Sequence, residues 1–488
     1  MSMRKFDVVV VGSGIAGLSA ALSARQAGAS VALAERATQA ESGGNTRYTE
    51  AFLRMKSVDE PADDLADAIL GDFMGYPDPG VALETLRARE MWTAPAATLN
   101  VVDEQVVTTL GERAGPTLRW LEGHGVKIAP LPTPFLTTST TRISPVGGGL
   151  ALVEALTAQA RKLGVEIFYR TTARSLVTDA GAVTGLRAVS PDGPVTLSGV
   201  VVLACGGYQG NPEMMARYHG DRGMLTRPVA RGGHYNKGEG IEMALAAGAA
   251  TAGNFAMFHA EPVDPRSGQP EAAIFALPYG ILVNAEGHRF ADEAPGPVDA
   301  WYERITRKIH AQTHGVAYLI LDAGARTVPN LSAALRTDQP PITGGSIDEL
   351  AAKIEVPAAT LRATVEAFNA ACDGGEWDPA RPDGLATSGL TPPKSNWARP
   401  VARAPYHAYP VIASNVFTFG GLRTNDRAQV LDRDGGVIRG LYAAGEITGL
   451  YYSNYTGSSS VLRGAVFGKI AGERAGELAR AEPARAAR

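Results

Sequence analysis

Residues 6–11 (FDVVVV) are a β-branched apolar run, and glycines follow at Gly12, Gly14 and Gly17. An Ala/Leu-rich stretch then predicts a helix over Ser19 to Ala27, and a second apolar run, Ser30 to Ala34, closes at Glu35. Strand, tight turn, helix and strand within about 30 residues is the pattern of a βαβ unit and a parallel sheet. Gly149 to Lys162 predicts another helix and Val165 to Tyr169 a strand, while Ala182 to Ala188 and Gly199 to Ala204 predict strands around a turn at Pro191–Asp192–Gly193. From about Phe255 the pattern breaks into Pro-interrupted loops and scattered helices, with a Pro/Gly-rich stretch from Cys372 to Pro405. Strand-like segments return at Val416 to Arg423 and Gly440 to Ala444, followed by a helix from Ser460 to Leu478. The order predicts an α/β fold: a discontinuous, Rossmann-like dinucleotide domain over 1–254 and 416–488, with an α+β cap (substrate) domain, 255–415, inserted. Residues 473–488, rich in Ala, Arg and Glu, read as a fraying helix and a solvated tail.

At 488 residues the chain has room for two or three domains, which excludes a single small binding module. With 46 Lys+Arg against 50 Asp+Glu the net charge is -4, which argues against a general affinity for nucleic acid or anionic membrane. Cys205 and Cys372 are too few for an iron–sulfur cluster or a disulfide framework, and the expectation is a cytoplasmic protein. The opening apolar run is shorter than a signal-peptide core, and no apolar stretch reaches about 18 residues, so no transmembrane segment is expected. There is no metal-type Cys/His cluster, no G-x-S-x-G elbow and no P-loop.

GSGIAG (Gly12, Ser13, Gly14, Ile15, Ala16, Gly17) has a physical reading. Gly12 permits the tight turn, Gly14 lets a pyrophosphate approach the backbone, and Gly17 lets the helix pack on the strand. The helix start offers free N–H groups to phosphate, and Glu35, with Arg36 beside it, stands where a carboxylate can accept ribose hydroxyls. This fingerprint does not separate FAD from NAD.

Three further segments make that choice by resemblance. SGGNT (Ser42, Gly43, Gly44, Asn45, Thr46), LACGG ending in Gly206 and Gly207, and GLYAAGE ending in Gly445 and Glu446 resemble nucleotide- and flavin-facing segments of the fumarate reductase/succinate dehydrogenase flavoprotein superfamily. Ser460 and Val461, at the start of the last helix, complete the cofactor set that the resemblance implies. SGGNTRYT, FTFGG, the pair Asn454 and Tyr455, and GAVFG resemble the tricarballylate dehydrogenase branch, whose members oxidise a saturated carboxylic acid to its alkene on FAD. No histidine stands beside Gly43 and Gly44, where membrane-bound relatives attach their flavin covalently, which implies non-covalent FAD.

Removing hydrogens from adjacent carbons needs a base, a hydride acceptor, and groups that hold developing enolate charge. The resemblance places the proton-transfer arginine at Arg326 in DAGAR, its supporting glutamate at Glu293 in RFADE, and a carboxylate-holding histidine at His259 in FHAEP. A surface arginine, a solvated loop carboxylate and a structural histidine are the alternatives. Two positions depart from fumarate reductases: Phe417 replaces a histidine and Tyr455 an arginine that grip the distal carboxylate. Fumarate or succinate is therefore a poor fit, and a bulkier or less charged carbonyl compound is expected. Tyr451, Tyr452 and Tyr455 could stabilise an enolate or pack against the flavin, and Arg463 could face substrate or FAD.

The expected activity is FAD-dependent desaturation alpha,beta to a carboxylate or ketone of a small substrate. The alternatives are a 3-ketosteroid-type or cyclic-ketone dehydrogenase using the tyrosines, an enoate reductase, and a flavin electron carrier. Without haem, cluster or second dinucleotide motif, electrons must pass to an external protein, quinone or oxygen.

Overall fold

The computed structural model describes residues 2–66, 69, 103–130, 142–455 and 457–486. Val8, Val9 and Val10 are fully buried, so the strand Ser2–Val11 is covered on both faces and becomes the centre of an eight-stranded sheet. It pairs in parallel with Val31–Ala34 (Val8 opposite Val31) and with Gly193–Leu203 (Val11 opposite Leu203). Glu166–Phe168 extends one edge in parallel, and Val437–Ala443 extends the other, its Ala443 opposite Leu203. Thr172–Asp179, Ala182–Ser190 and Gly193–Leu203 form an antiparallel meander, and Gln429–Leu431 pairs antiparallel on the far edge.

The first helix, Ile15–Gln26, begins four residues before the predicted start, because Gly14 already serves as its N-cap. It packs along the final helix, Ser460–Ala486, through a stripe of small residues. A Cβ at Gly468 would lie 2.3 Å from Ala16 O, and one at Gly472 2.1 Å from Ala20 O. The two backbones touch, and this packing fixes the start of the final helix beside the glycine loop.

A second, six-stranded sheet takes Arg227–Pro228, Phe258–Val263, Ile281–Asn284, Val316–Leu321, Ile342–Gly344 and Tyr406–Thr418. Val316–Leu321 forms over the predicted span. Tyr406–Thr418 starts ten residues before the predicted Val416 and takes in Pro410, which pairs opposite Tyr318. Glu104–Gly123, capped by Asp103, is a helix that the sequence reading passed over, with Pro116 inside it. The observed fold is the expected mixed α/β class.

Candidate active site

Four parallel strands end at one place. Gly12 follows Val11, Glu35 follows Ala34, Ala204 and Cys205 follow Leu203, and Gly445 lies two residues beyond Ala443; all of them line one elongated cavity. Ligands of open α/β sheets bind at this carboxyl edge, where the strand order switches direction. Gly12 has φ +99°, and a Cβ there would lie 2.4 Å from Ala204 O; a Cβ at Gly17 would lie 1.9 Å from Gly12 O. The loop therefore holds its tight turn only with glycine at both positions.

Ile15, Ala16, Arg36, Gly44, Asn45, Thr46, Gly206, Glu446, Ser460 and Val461 also line this cavity, together with Asn236, Glu239 and Arg463, which the sequence reading had not assigned. Thr46 Oγ1 accepts the Ile15 N–H at 3.0 Å, and Asn45 Nδ2 donates to Val416 O while Asn45 Oδ1 is buried without a partner among the described residues. Arg36 bonds Tyr235 O and Glu239. Glu35 is more occupied than expected: its carboxylate accepts from Ser13 N and Oγ and from Ala37 N, so it braces the glycine loop besides facing the cavity. Gly17, Ser42, Gly43 and Gly207 stand behind the lining. Gly43 N donates to Ser13 Oγ, and a Cβ at Gly207 would meet Thr418 Oγ1 at 2.1 Å. Burial pushes the Glu446 carboxyl up to about 7, although it accepts from Asn236 Nδ2 and Thr418 N. The glycine cradle, a helix start whose N-cap Gly14 has no capping side chain, and the orphaned Asn45 oxygen fit a dinucleotide.

A second chamber adjoins the first, sharing Thr49, Val416, Ser460 and Val461. Its walls bring together His259 from the strand Phe258–Val263, Tyr302 from the helix Val298–His310, Tyr455 from the last loop, and Phe275. His259 Nε2 and Tyr302 Oη are 2.7 Å apart, while His259 Nδ1 is buried without a partner among the described residues. Burial holds His259 well below its ordinary pKa and Tyr302 well above, so both are neutral. A neutral imidazole carries one N–H. An unpaired lone pair is cheaper to bury than an unpaired N–H, so the network assigns Nε2–H as donor to the Tyr302 oxygen. The Tyr302 hydroxyl is left free to donate into the chamber.

Tyr455 is differently placed. Its oxygen accepts the N–H groups of Ser459 and Ser460 at 2.9 and 3.0 Å, and its hydroxyl donates to Ser460 Oγ. Its ring lies 4.4 Å from that of His259 and 5.0 Å from that of Phe417. Ser460 Oγ, on the boundary of both cavities, is the polar atom that this arrangement presents. Arg142, buried and held below its ordinary pKa by desolvation and then by Arg54, adds a guanidinium to the wall.

Three expected catalytic residues stand elsewhere. Arg326 lies on an exposed 3-10 turn, Ala323–Thr327, outside the lining of both cavities, because the strand before it delivers that turn to the surface. Glu293 is fully buried beside the second sheet: it accepts from Leu282 N and from Arg289, with Lys394 Nζ 3.8 Å away, and it lines neither cavity. Tyr452 is half-buried against the Gly253 backbone rather than in the chamber. Arg463, previously unassigned, lines the dinucleotide cavity, donates to Thr448 O and lies 4.9 Å over the Tyr451 ring. The sequence reading missed Tyr302. Its position on an amphipathic helix with Ile305 and Ile309 reads as packing, and no motif marks it.

A family model described as FAD binding domain matches residues 7–462. The chain is 29% identical over 534 residues to NADH:acrylate oxidoreductase from Vibrio harveyi, an alignment covering 97% of this chain and 50% of that protein. It thus spans about half the length of that relative. It is 30% identical over 558 residues to 4-oxocyclohexanecarboxylate 2-dehydrogenase from Sinomonas cyclohexanicum, covering 96% of this chain and 94% of the other. Among solved structures, 3-ketosteroid-delta4-(5alpha)-dehydrogenase from Rhodococcus jostii RHA1, in complex with 4-androstene-3,17-dione, is similar with a TM-score of 0.69 and 26% identity, covering 97% of each chain.

Proposed function

The chain belongs to the FAD binding domain family of the fumarate reductase/succinate dehydrogenase flavoprotein superfamily, and on that premise we propose that this FAD-dependent oxidoreductase desaturates the carbon–carbon bond beside the carbonyl of a cyclic ketone. The observation that carries this reading is the Tyr302 hydroxyl, oriented by His259 and free to donate into a chamber that adjoins the dinucleotide cavity. The glycine loop, Glu35, Asn45, Thr46 and Arg463 would hold FAD non-covalently, since no histidine stands beside Gly43 and Gly44.

When bound, FAD supplies the acceptor for the β hydride. The chain's own task is to make the α proton acidic, so that it is released as H+ to water at the chamber's opening to the surface depression. A hydrogen bond from Tyr302 to the carbonyl oxygen strengthens as that oxygen gains enolate charge, and so acts mainly in the transition state. His259 fixes the direction of that bond, and the rings of Phe417, Tyr455 and Phe275 exclude water and strengthen it. Relatives whose names specify a cyclic keto acid and a ketosteroid support the ketone. The cap of 255–415 against a body of 1–254 and 416–488 is part of this proposal, as are an external electron acceptor and a cytoplasmic setting. Among the described residues no helix is long and apolar enough to cross a membrane.

A second reading rests on Arg142. Its guanidinium in the chamber wall suits a carboxylate, which supports a substrate carboxylic acid and the tricarballylate dehydrogenase-like branch, or an enoate reductase. Anaerobic addition of cyclic ketones, dicarboxylates and tricarboxylates to the yellow protein separates the two. Bleaching of the flavin band by a cyclic ketone is expected, and bleaching by a saturated polycarboxylate alone would transfer the assignment to the second reading.

A further inference from the structure

Glu261 follows His259 by two positions on the strand Phe258–Val263, and both side chains line the aromatic chamber. Glu50, Glu271 and Arg336 line the chamber too, and the same three line a wide depression on the surface. They mark where the chamber meets that depression. Glu261 is 8% exposed, and no described group hydrogen-bonds its carboxyl; it feels Arg336 and Glu50 only through space. Those two are already paired, Arg336 Nη1 to Glu50 Oε2 at 2.6 Å. Glu271, whose carboxyl is held by the Glu50 backbone, adds a third acid beside them.

A buried carboxyl without a partner is costly, and native interiors rarely keep one without a use. Desolvation pushes Glu261 up to about 7, so an arriving donor or cation relieves the penalty by supplying the missing bond. A carboxylate arriving beside Glu261 meets Glu50, Glu271 and an Arg336 that is already paired with Glu50, while the other guanidinium of the lining, Arg142, stands near Tyr455 and Asp299.

Resting on the reading of this chamber as a carbonyl site, we propose that Glu261 selects the substrate by a second polar group. It accepts a hydrogen bond from a hydroxyl, amide or cationic group that the substrate carries besides the reacting carbonyl, and it rejects a carboxylate there.

The test is binding to the full-length, FAD-loaded protein, read as perturbation of the flavin absorbance band. Four redox-inert phenols share a ring and differ in the para group: 4-hydroxybenzamidine (a cation), 4-hydroxybenzamide (a neutral donor), 4-hydroxyacetophenone (an acceptor alone) and 4-hydroxybenzoate (a carboxylate). The amidine and the amide should bind at least about tenfold more tightly than the other two. Glu261→Leu should erase that preference and leave acetophenone binding within about twofold, while Glu261→Gln should keep the amide's advantage and lose the amidine's. Equal binding of all four, tightest binding of the benzoate, a preference that survives Glu261→Leu, or no binding by any probe would overturn the proposal. If Glu261→Leu does not fold, the parent ranking and Glu261→Gln decide. A protein bleached by cyclic ketones that shows no ranking loses this inference and keeps the proposed function; one that ranks the phenols yet is never bleached does the reverse.

Discussion

His259 Nε2 and the Tyr302 hydroxyl oxygen lie 2.7 Å apart across two elements, a strand of the second sheet and the helix packed on it. The pair aims a phenol into the chamber, and burial keeps the imidazole uncharged. Replacing His259 by Leu should leave the yellow colour and lower the rate of flavin reduction by about 10²-fold, since the phenol survives but its orientation does not. Stopped-flow absorbance on FAD-loaded protein measures this, and a parent rate in His259→Leu would remove the histidine from the account.

Tyr455 is expected to matter for structure more than for rate. Its oxygen satisfies the backbone N–H groups of Ser459 and Ser460 at the start of the final helix. Tyr455→Phe should therefore cost about 1–3 kcal/mol of stability and weaken FAD retention, with a milder loss of turnover than Tyr302→Phe. Tyr452→Phe should change neither turnover nor retention measurably. Chemical denaturation and FAD release by gel filtration provide the numbers.

Arg326 and Glu293 should separate in a way that the fumarate-reductase resemblance does not predict. Arg326→Lys, on an exposed turn, should turn over at the parent rate. Glu293→Gln should lose about 3 kcal/mol of stability, because it leaves Arg289 and Lys394 buried without their counter-charge. If Arg326→Lys loses most of its activity while keeping FAD, the proton path does run through that arginine.

The contribution of Glu446 to stability should fall as pH rises through weakly acidic conditions, against the opposite contribution of His219, His259 and His310, whose pKa values burial lowers. Burial raises the Glu446 carboxyl from its ordinary 4.5 to about 7 in the folded chain. Between those values the unfolded chain has already lost the proton that the folded chain keeps, so its contribution is fully present below 4.5 and lost as pH climbs to about 7. Compared with the parent, Glu446→Gln should have a urea midpoint that is relatively higher at about pH 8 than at about pH 5, because the variant no longer loses this contribution. Glu261 and Glu303, raised in the same way, contribute in the same direction.

The dinucleotide site was legible because its physics is local. Val8 to Val11, Gly12, Gly14, Gly17 and Glu35 lie within one βαβ unit, where spacing along the chain maps directly onto space. The chamber was not, because its residues come from distant elements: His259 meets Tyr302 across 43 positions, and Tyr455 reaches Glu303 through its backbone N–H across 152. Tyr302 resembles core packing, and Arg326 follows a correctly predicted strand that ends at the surface. Resemblance carried over a motif there whose side chain faces elsewhere in this fold.

Anaerobic single-turnover mixing of the FAD-loaded protein with a cyclic ketone, in parent and Tyr302→Phe, tests the central claim most directly. Flavin bleaching and the conjugated enone should appear together, one for one, in the parent, and about 10²-fold more slowly in Tyr302→Phe with FAD still bound. If cyclic ketones leave the parent yellow while a polycarboxylate bleaches it, or if Tyr302→Phe forms enone at the parent rate, the assignment of this chamber to ketone desaturation through Tyr302 is wrong.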